Sequence, residues 1–405
     1  MKYAVDFDGV LAVPAACISS ASERQTFLDS KHGIRFLRVA PGALELLSVL
    51  GVFGKASLVT SRPQEHSEEL NEWVRRNIPA AIRPEKIICC GSRPKRDFVS
   101  LGGFQLLIDD DAKHLECLPE PCQGVLWSAD QNRKLLGSIL SVMVSQHSEL
   151  QIGTEKKSPS ITQSCEITDR GASSVFTFAT ESFRRLKMRV CHSESQARAI
   201  EEIATAAAIH GLSEIPRFHR RLGLVVLKEF VPVSGDQISF KGKDAAQKLG
   251  IALGNLHGAT LNGSGGVFCC CSADQRNVVW NRGLPVFTDL GCCVRGPALL
   301  DLFWTFCFSE FSDNDFCELL KAYLLQRNLS AKNFWNEEDA NFFFTWAVVN
   351  ISRSIDYHHE DKAKQIDLKN DLDGLEELFQ KKRAVFQRLL ESCQRNPCPS
   401  VFFRG

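Results

Sequence analysis

The sequence of 405 residues lacks an excess of charge of either sign, because 48 Lys and Arg residues balance 48 Asp and Glu residues. A nucleic-acid groove usually comes with a surplus of basic residues, so nucleic acid is not an expected partner. The sequence also lacks an apolar run long enough to span a membrane and a secretory signal before its first predicted strand. These absences predict a cytoplasmic protein without membrane contact.

A zinc-type cysteine pattern is missing as well. The 16 cysteines form clusters, such as Cys89-Cys90 and Cys269-Cys270-Cys271, but no Cys-x-x-Cys is followed by a matching second pair. The clusters lie on apolar runs, so most of these residues are expected to be small buried hydrophobes with reduced thiols. The chain length predicts two domains.

The most informative stretch runs from Tyr3 to Ala12. Asp6 and Asp8 stand two residues apart directly after an apolar run. Residues i and i+2 of a strand point to the same side, and Gly9 lets the backbone turn away, so both carboxylates converge at the carboxyl end of a strand. Mg²⁺ suits such an oxygen-only site and also binds phosphate. The alternative is an ordinary turn whose aspartates serve turn chemistry.

Two further apolar runs end in polar residues. One ends at Thr60 and Ser61, and the other runs from Phe104 into three consecutive aspartates, Asp109 to Asp111, with Lys95 between the two runs. Helical patterns over Pro41–Leu50 and His66–Asn77 alternate with these strands. We therefore predict an α/β fold with a doubly wound parallel sheet.

The order of these motifs resembles the haloacid dehalogenase (HAD) superfamily of phosphohydrolases over roughly residues 1–145. The resemblance implies that Asp6 is the nucleophile and that Asp8 is the general acid and base. It also implies that the hydroxyl of Thr60 holds the phosphoryl group and that the ammonium of Lys95 neutralises charge. Arg96 is a less suitable substitute for Lys95.

The same resemblance implies a magnesium site. Its ligands would be Asp6, Asp8, Asp109 and Asp110, whereas Asp111 is expected to be an exposed residue at the start of a helix. Catalysis would then consist of positioning and charge neutralisation.

The second half of the chain has a different pattern. Residues 146–165 are polar and aperiodic, which predicts a linker, and residues 166–395 form a second domain before a tail, 396–405. Strands come first, including one over Leu222–Val233, and helices follow. This is the order of two-lobed α+β protein-kinase-like folds.

In detail, this domain resembles the aminoglycoside phosphotransferase and choline-kinase branch. The resemblance implies a loop over the nucleotide at Gly171 to Ser174, and Lys187 on the ATP phosphates. It also implies that Glu201 or Glu202 pairs with this lysine and that Glu229 and Phe230 form the adenine hinge. The metal ligands would be Asn277 and Asp289, and Asp301 would be a structural aspartate.

The catalytic loop departs from the pattern of this family, which is His-Gly-Asp with an Asn five positions after the Asp. Counting back from Asn277 puts Cys270, Cys271 and Ser272 in these positions, so the catalytic Asp is absent. Asp274 comes two positions too late and serves as a displaced base only if the loop is rebuilt. Loss of a general base typically costs about 10²–10⁴-fold in rate.

Three functions follow. The first is a Mg²⁺-dependent phosphomonoester hydrolase with a kinase-like second domain. The alternative is a bifunctional kinase and phosphatase, in which the second domain transfers phosphate from ATP to a small-molecule hydroxyl or amine. The third is a binding protein. The expected partner is a small phosphorylated metabolite or a nucleotide. Lys187 equally suits a solvated strand edge, and His257 a core position.

Overall fold

The computed structural model has a mixed α/β fold with a parallel sheet. It describes residues 1–14, 30–128, 132–145, 150–151, 160–170, 173–180, 185–191, 193–229, 231, 241–263, 266–271, 273, 277–290, 293–357 and 362–395. Phe230, Ser272, Asp274, Gly171 and the tail 396–405 lie outside these residues. Within them, no helix is both long and apolar enough to cross a membrane.

The chain divides into two compact units. The first comprises Met1–Asp169, Ser174–Ala197 and Arg220–Leu227, and the second comprises Arg170–Ser173, Arg198–His219 and Lys228–Gly405.

Strands and helices alternate in the first part of the first unit. In chain order they are β1 (Lys2–Val5), β2 (Ala12–Pro14), β3 (Leu37–Val39), α1 (Ala43–Phe53), β4 (Lys55–Thr60), α2 (Ser67–Asn77), β5 (Ile87–Cys89), α3 (Lys95–Gly102), β6 (Leu106–Asp109), β7 (Gln123–Leu126) and α4 (Asn132–Ser145). Five strands pair in parallel in the order β5-β4-β1-β6-β7. The predicted parallel sheet is confirmed.

Side chains along the strands alternate between the two faces of this sheet, and both faces are buried. Tyr3 and Val5 belong to a large apolar cluster with residues of α1 and α2, whereas Ala4 belongs to a second cluster with Val99 of α3. Successive strand residues point to opposite faces. Both faces are therefore covered, and ligand-binding groups are left for the ends of the strands.

A six-stranded sheet follows, and most of its residues also belong to the first unit. Its order is β12-β13-β11-β10-β9-β8, with β8 (Leu150–Gln151), β9 (Ser160–Arg170), β10 (Ser173–Thr180), β11 (Arg185–Val190), β12 (Phe218–Leu222) and β13 (Val225–Glu229). Strand β9 begins inside the segment predicted to be a linker.

The strand predicted over Leu222–Val233 is confirmed over Val225–Glu229 only, because Leu222 belongs to β12 and residues 230, 232 and 233 lie outside the described part of the chain. Gly223 has φ +54°, a left-handed conformation, and it separates β12 from β13. The turn packs on α1, because Ser48 Oγ accepts a hydrogen bond from the backbone N–H of Leu224 at 3.1 Å. A Cβ at Gly223 would lie 2.7 Å from that oxygen.

The second unit is mainly helical. Its remaining elements are α5 (Glu194–Ile209, which begins in the first unit), α6 (Lys243–Thr260), β14 (Val267–Cys269), β15 (Val278–Asn281), β16 (Leu284–Phe287), β17 (Val294–Gly296), α7 (Leu299–Phe308), α8 (Asp313–Arg327), α9 (Glu337–Tyr357) and α10 (Lys362–Arg395). Strand β14 pairs with β17, and β15 pairs with β16.

Helices α6 and α8 approach each other closely through a glycine. A Cβ at Gly250 would lie 2.3 Å from the carbonyl oxygen of Leu319, so only glycine fits this contact without a shift of the backbone. A core of aromatic rings fills the helical layer around Phe303, whose ring meets those of Phe343, Phe379 and Phe386 edge to face.

Candidate functional site

Three neighbouring strands of the parallel sheet end in polar residues. Asp6 directly follows β1, and its N–H donates to the carbonyl of Ile108 at 2.9 Å, so it extends the pairing with β6. Thr60 ends β4 and Asp109 ends β6, which are the two neighbours of β1. The three side chains therefore belong to one edge of the sheet.

Lys95 links two of these carboxylates from the first position of α3. Its side chain is 1% exposed, and its Nζ lies 2.8 Å from Asp6 Oδ1 and 2.7 Å from Asp109 Oδ2. Burial alone would lower the pKa of Lys95, but the two carboxylates raise it above its usual value. Arg96, the alternative from the sequence, is exposed and lies 4.0 Å from Asp97.

The acidic groups outnumber this ammonium. Burial raises the pKa of Asp6 to about 8, against the opposing effect of Lys95, and burial together with Asp109 raises the pKa of Asp110. Oxygen atoms of Asp6, Asp109 and Asp110 all lie within 4.8 Å of one another. An oxygen-only set with excess negative charge fits Mg²⁺. Asp8, also predicted as a ligand, is not in this group.

Asp8 is held instead by a buried arginine. Arg62 Nε donates to Asp8 Oδ2 at 2.9 Å, and Arg62 Nη2 donates to Oδ1 at 2.7 Å. The Arg62 side chain is 6% exposed, whereas that of Asp8 is 37% exposed. The Arg62 backbone N–H also donates to Thr60 Oγ1 at 3.2 Å. Sequence reasoning missed Arg62, although its position two residues after Thr60 was a usable signal.

Two further contacts shape the acidic group. Gly9 has φ +78°, and a Cβ there would lie 1.8 Å from Asp110 Oδ2, so the turn predicted at Gly9 also makes room for this carboxylate. His114 Nδ1 lies 3.1 Å from Asp109 Oδ1, a contact that no spacing in the sequence indicated. Asp111 is exposed and caps the following turn by accepting from Lys113 N–H at 3.0 Å.

The second unit contains another buried carboxylate, Asp301. Its two oxygens accept hydrogen bonds from the backbone N–H groups of Cys270 and Cys271. His257 Nε2 lies 3.0 Å from Asp301 Oδ2, and His257 Nδ1 lies 2.9 Å from the hydroxyl of Tyr323. Burial alone would lower the pKa of His257, but Tyr323 and Asp301 raise it well above its usual value.

These residues also meet a distance criterion for metal binding. Ligand atoms of His257, Cys269 and Asp301 lie within 4.8 Å of one another, and all three residues are fully buried. Both Asp301 oxygens already accept backbone N–H groups, and Cys269 Sγ donates to the carbonyl of Pro297 at 3.2 Å. We therefore interpret the cluster as a hydrogen-bonded network that fixes the loop after β14.

The hairpin of β15 and β16 brings the two predicted metal ligands of this unit close together in the fold. Both the N–H and the Oγ1 of Thr288 donate to the carbonyl of Asn277, at 2.9 and 3.0 Å, so Asn277 and Asp289 lie at the same end of the hairpin. Lys228 is 3% exposed, and its Nζ donates to the Thr288 carbonyl at 2.6 Å. Sequence reasoning missed this lysine, although a charge within an apolar run is a recognisable signal.

The remaining predicted nucleotide residues are distributed over both units. Lys187 lies on β11 in the first unit, opposite Thr177. Glu201 and Glu202 lie on α5 in the second unit, where they line a cavity of about 420 Å³ that also includes Asn262 and Arg295. Glu229 ends β13. The pairing of Lys187 with a glutamate stays a prediction.

No family model matches this sequence, and no curated protein matches it. Solved structures of kinase-type phosphotransferases are similar to part of it. An aminoglycoside phosphotransferase from Alicyclobacillus acidocaldarius is 13% identical, with 57% of this chain and 93% of that chain covered and a TM-score of 0.35. The macrolide 2'-phosphotransferase MphH from Brachybacterium faecium is 11% identical, with 65% and 99% covered and a TM-score of 0.38.

A choline/ethanolamine kinase family protein from Mesorhizobium loti gives a comparable match. It is 14% identical, with 58% of this chain and 94% of that chain covered and a TM-score of 0.37. Such low scores carry no argument about this chain. The haloacid dehalogenase resemblance of residues 1–145 stays a prediction, as do the roles of its residues.

Proposed function

We propose that the first unit is a Mg²⁺-dependent phosphomonoester hydrolase that acts through an aspartyl-phosphate. The observation that carries this proposal is the buried Lys95 ammonium, held between Asp6 and Asp109 at 2.8 and 2.7 Å. Burying charged side chains costs free energy, and buried charged groups with shifted pKa values are concentrated in functional sites. The site has more carboxylates than ammonium groups, so it suits the binding of a cation together with a phosphate ester.

Each residue then has a defined part. Asp6 attacks the phosphorus atom, so that a bond forms between its carboxylate oxygen and phosphorus while the bond to the leaving oxygen breaks. Lys95 neutralises charge on Asp6 and the phosphoryl group, and Thr60 holds a phosphoryl oxygen. Mg²⁺ bound by Asp6, Asp109 and Asp110 would supply charge stabilisation for the phosphoryl oxygens.

Arg62 bears on the role of Asp8. A guanidinium that donates to both oxygens requires their lone pairs, so the observed contact holds Asp8 as an acceptor. This state suits the second step, in which Asp8 takes a proton from the water that hydrolyses the aspartyl-phosphate. In the first step Asp8 must carry a proton for the leaving oxygen, which requires one of the two Arg62 contacts to open.

The deciding experiment measures hydrolysis of an aryl phosphate with Mg²⁺ by the wild type and by Asp6→Asn. We expect the variant to lose on the order of 10⁴-fold or more in kcat while it stays folded. Asp97→Asn is the matched control, because it removes an exposed carboxylate of the same unit. Equal rates for wild type and Asp6→Asn contradict the assignment of the nucleophile.

A second candidate function is transfer of phosphate from ATP to a small-molecule hydroxyl or amine by the second unit. The observation that favours it is the hairpin end that brings Asn277 and Asp289 close together beside buried Lys228. The position of the catalytic base holds Ser272, which counts against rapid transfer. ATP turnover that is lost in Asp289→Ala but kept in Asp6→Asn supports this function. Turnover that is lost in Asp6→Asn assigns ATP hydrolysis to the first unit.

A further inference from the structure

Helices α8 and α10 each contribute a buried cysteine to their contact. Cys317 Sγ lies 3.8 Å from Cys393 Sγ, although 76 residues separate them in the chain. Cys393 Sγ also lies 3.8 Å from the carbonyl oxygen of Cys317, at the start of α8. The two residues are 8% and 6% exposed. These are two free thiols whose sulfur atoms are in van der Waals contact.

The two thiols differ in acidity. The hydrogen bond from Cys393 lowers the pKa of Cys317 to about 6, against the opposing effect of burial and with help from the Lys321 ammonium. The same hydrogen bond raises the pKa of Cys393. Glu318 accepts from Lys321 at 2.9 Å and holds it at this position. Cys317 is thus the more acidic thiol of the pair, and the thiolate is the form that reacts with oxidants.

We propose that Cys317 and Cys393 are a peroxide-sensitive modification site that closes to a disulfide between α8 and α10. The Cys317 thiolate attacks one oxygen of hydrogen peroxide, the O–O bond breaks, and hydroxide leaves, so that Cys317 becomes a sulfenic acid. The Cys393 sulfur then attacks the Cys317 sulfur, the S–O bond breaks, and water leaves with the thiol proton. Overall, two thiols lose two electrons, and one peroxide becomes two waters.

The two sulfurs are already neighbours at the contact of the helices. A disulfide bond is about 2.0 Å long, so they must approach by about 2 Å in total. We expect rotation about the side-chain bonds to supply this movement. The bond would join two positions that are 76 apart in the chain. Closing a loop of this length in the unfolded chain stabilises the fold, and we expect the thermal midpoint to rise by roughly 5–15 °C.

The test uses the full-length protein, fully reduced, then treated with hydrogen peroxide and blocked by alkylation. Digestion after Lys and Arg and before Asp releases Cys317 and Cys393 on the separate fragments 315–321 and 389–395. We expect these two fragments to be recovered as one disulfide-linked mass that a reductant splits. The same treatment should raise the thermal midpoint reversibly.

Variants make the assignment specific. Cys393→Ser should lose the linked mass and the thermal shift, and it should leave Cys317 oxidised beyond the thiol. Cys307→Ser is the matched control, because burial raises the pKa of Cys307 to about 12, which makes it an inert thiol. It should keep both signals. Wild-type protein in which Cys317 stays open to alkylation after peroxide, or bonds to a different cysteine, overturns the proposal.

Discussion

Each unit buries a carboxylate against a basic side chain, but the partners differ in kind. In the first unit, Asp6 and Asp109 face the ammonium of Lys95, next to Asp110. In the second unit, both oxygens of Asp301 accept backbone N–H groups, and the side chains of Asp301 and His257 are 0% exposed. Distances alone mark both groups as candidate metal sites.

The two groups differ in what their carboxylates hold. Backbone N–H groups of Cys270 and Cys271 donate to both oxygens of Asp301, so this carboxylate holds the loop after β14 in place. The Lys95 ammonium lies between Asp6 and Asp109, and Asp109 also accepts the backbone N–H of Asp111 at 3.0 Å. With Asp110 beside them, these carboxylates carry more negative charge than the ammonium neutralises, which favours a cation at the edge of the sheet. Substitutions in the first cluster should therefore affect activity most, and those in the second should affect stability.

The largest combined effect on hydrolysis and stability is expected for Lys95→Met, which keeps the volume of the side chain and removes its charge. Two buried carboxylates then face each other, so we expect hydrolysis to fall by about 10²–10³-fold or more. The free energy of unfolding should fall by about 3–5 kcal/mol. Steady-state hydrolysis and chemical denaturation measure the two quantities, and the exposed Lys113→Met is the control.

Addition of Mg²⁺ should separate the effect of Lys95→Met on stability from its effect on hydrolysis. A divalent cation replaces the missing positive charge between the carboxylates, so saturating Mg²⁺ should restore part of the stability of Lys95→Met without restoring hydrolysis. If Lys95→Met keeps full hydrolysis, the ammonium has no part in the chemistry, and the first cluster resembles the second.

Asp301→Asn tests the second cluster. The amide keeps one acceptor oxygen but directs an N–H₂ group at a backbone donor, and it removes the partner of His257. We expect a loss of about 3–5 kcal/mol in the free energy of unfolding, measured by chemical denaturation. Asp373→Asn, on an exposed turn of α10, should change stability by less than about 0.5 kcal/mol. Equal stability of the two variants contradicts a structural role for Asp301.

A smaller effect is expected for Arg62→Lys. Lysine keeps the charge but cannot donate to both oxygens of Asp8 in one plane, so Asp8 loses its fixed orientation. We expect kcat to fall on the order of 10–100-fold with little change in the thermal midpoint. Arg35→Lys, on an exposed arginine, is the control. A fall in stability without a change in kcat would show that Arg62 serves packing alone.

The polar residues at the strand ends were predictable from the sequence, but two of the side chains that contact them were not. Asp6, Thr60 and Asp109 each follow an apolar run, and parallel strands bring such ends to one edge of a sheet. The spacing of Arg62 from Thr60 indicates that it lies near the strand ends, but only packing directs a long side chain such as that of Arg62 or His114 toward a particular carboxylate. The role of Lys95 came from the order of motifs, and its two distances came only from the structure.

The hairpin of β12 and β13 was missed for a related reason. Gly223 is flanked on both sides by apolar residues, so the hydrophobic pattern continues through the turn and predicts one strand. Its left-handed conformation is stabilised by packing on Ser48, which is 176 residues distant from Leu224 along the chain. A contact at this separation leaves no mark in a local pattern.

The smallest expected effects come from a pair of helix glycines that should respond with opposite signs. Gly250 faces α8, and an added Cβ would lie 2.3 Å from the Leu319 carbonyl, whereas a Cβ at Gly374 on α10 meets nothing within 4 Å. Gly250→Ala should therefore lower the free energy of unfolding by about 1–3 kcal/mol through overpacking. Gly374→Ala should raise it by about 0.5–1 kcal/mol, because alanine loses less backbone entropy in a helix. Chemical denaturation measures both changes. A gain in stability for Gly250→Ala would mean that α6 and α8 pack less closely than in this structure. The contact of His257 with Tyr323 would then be looser as well.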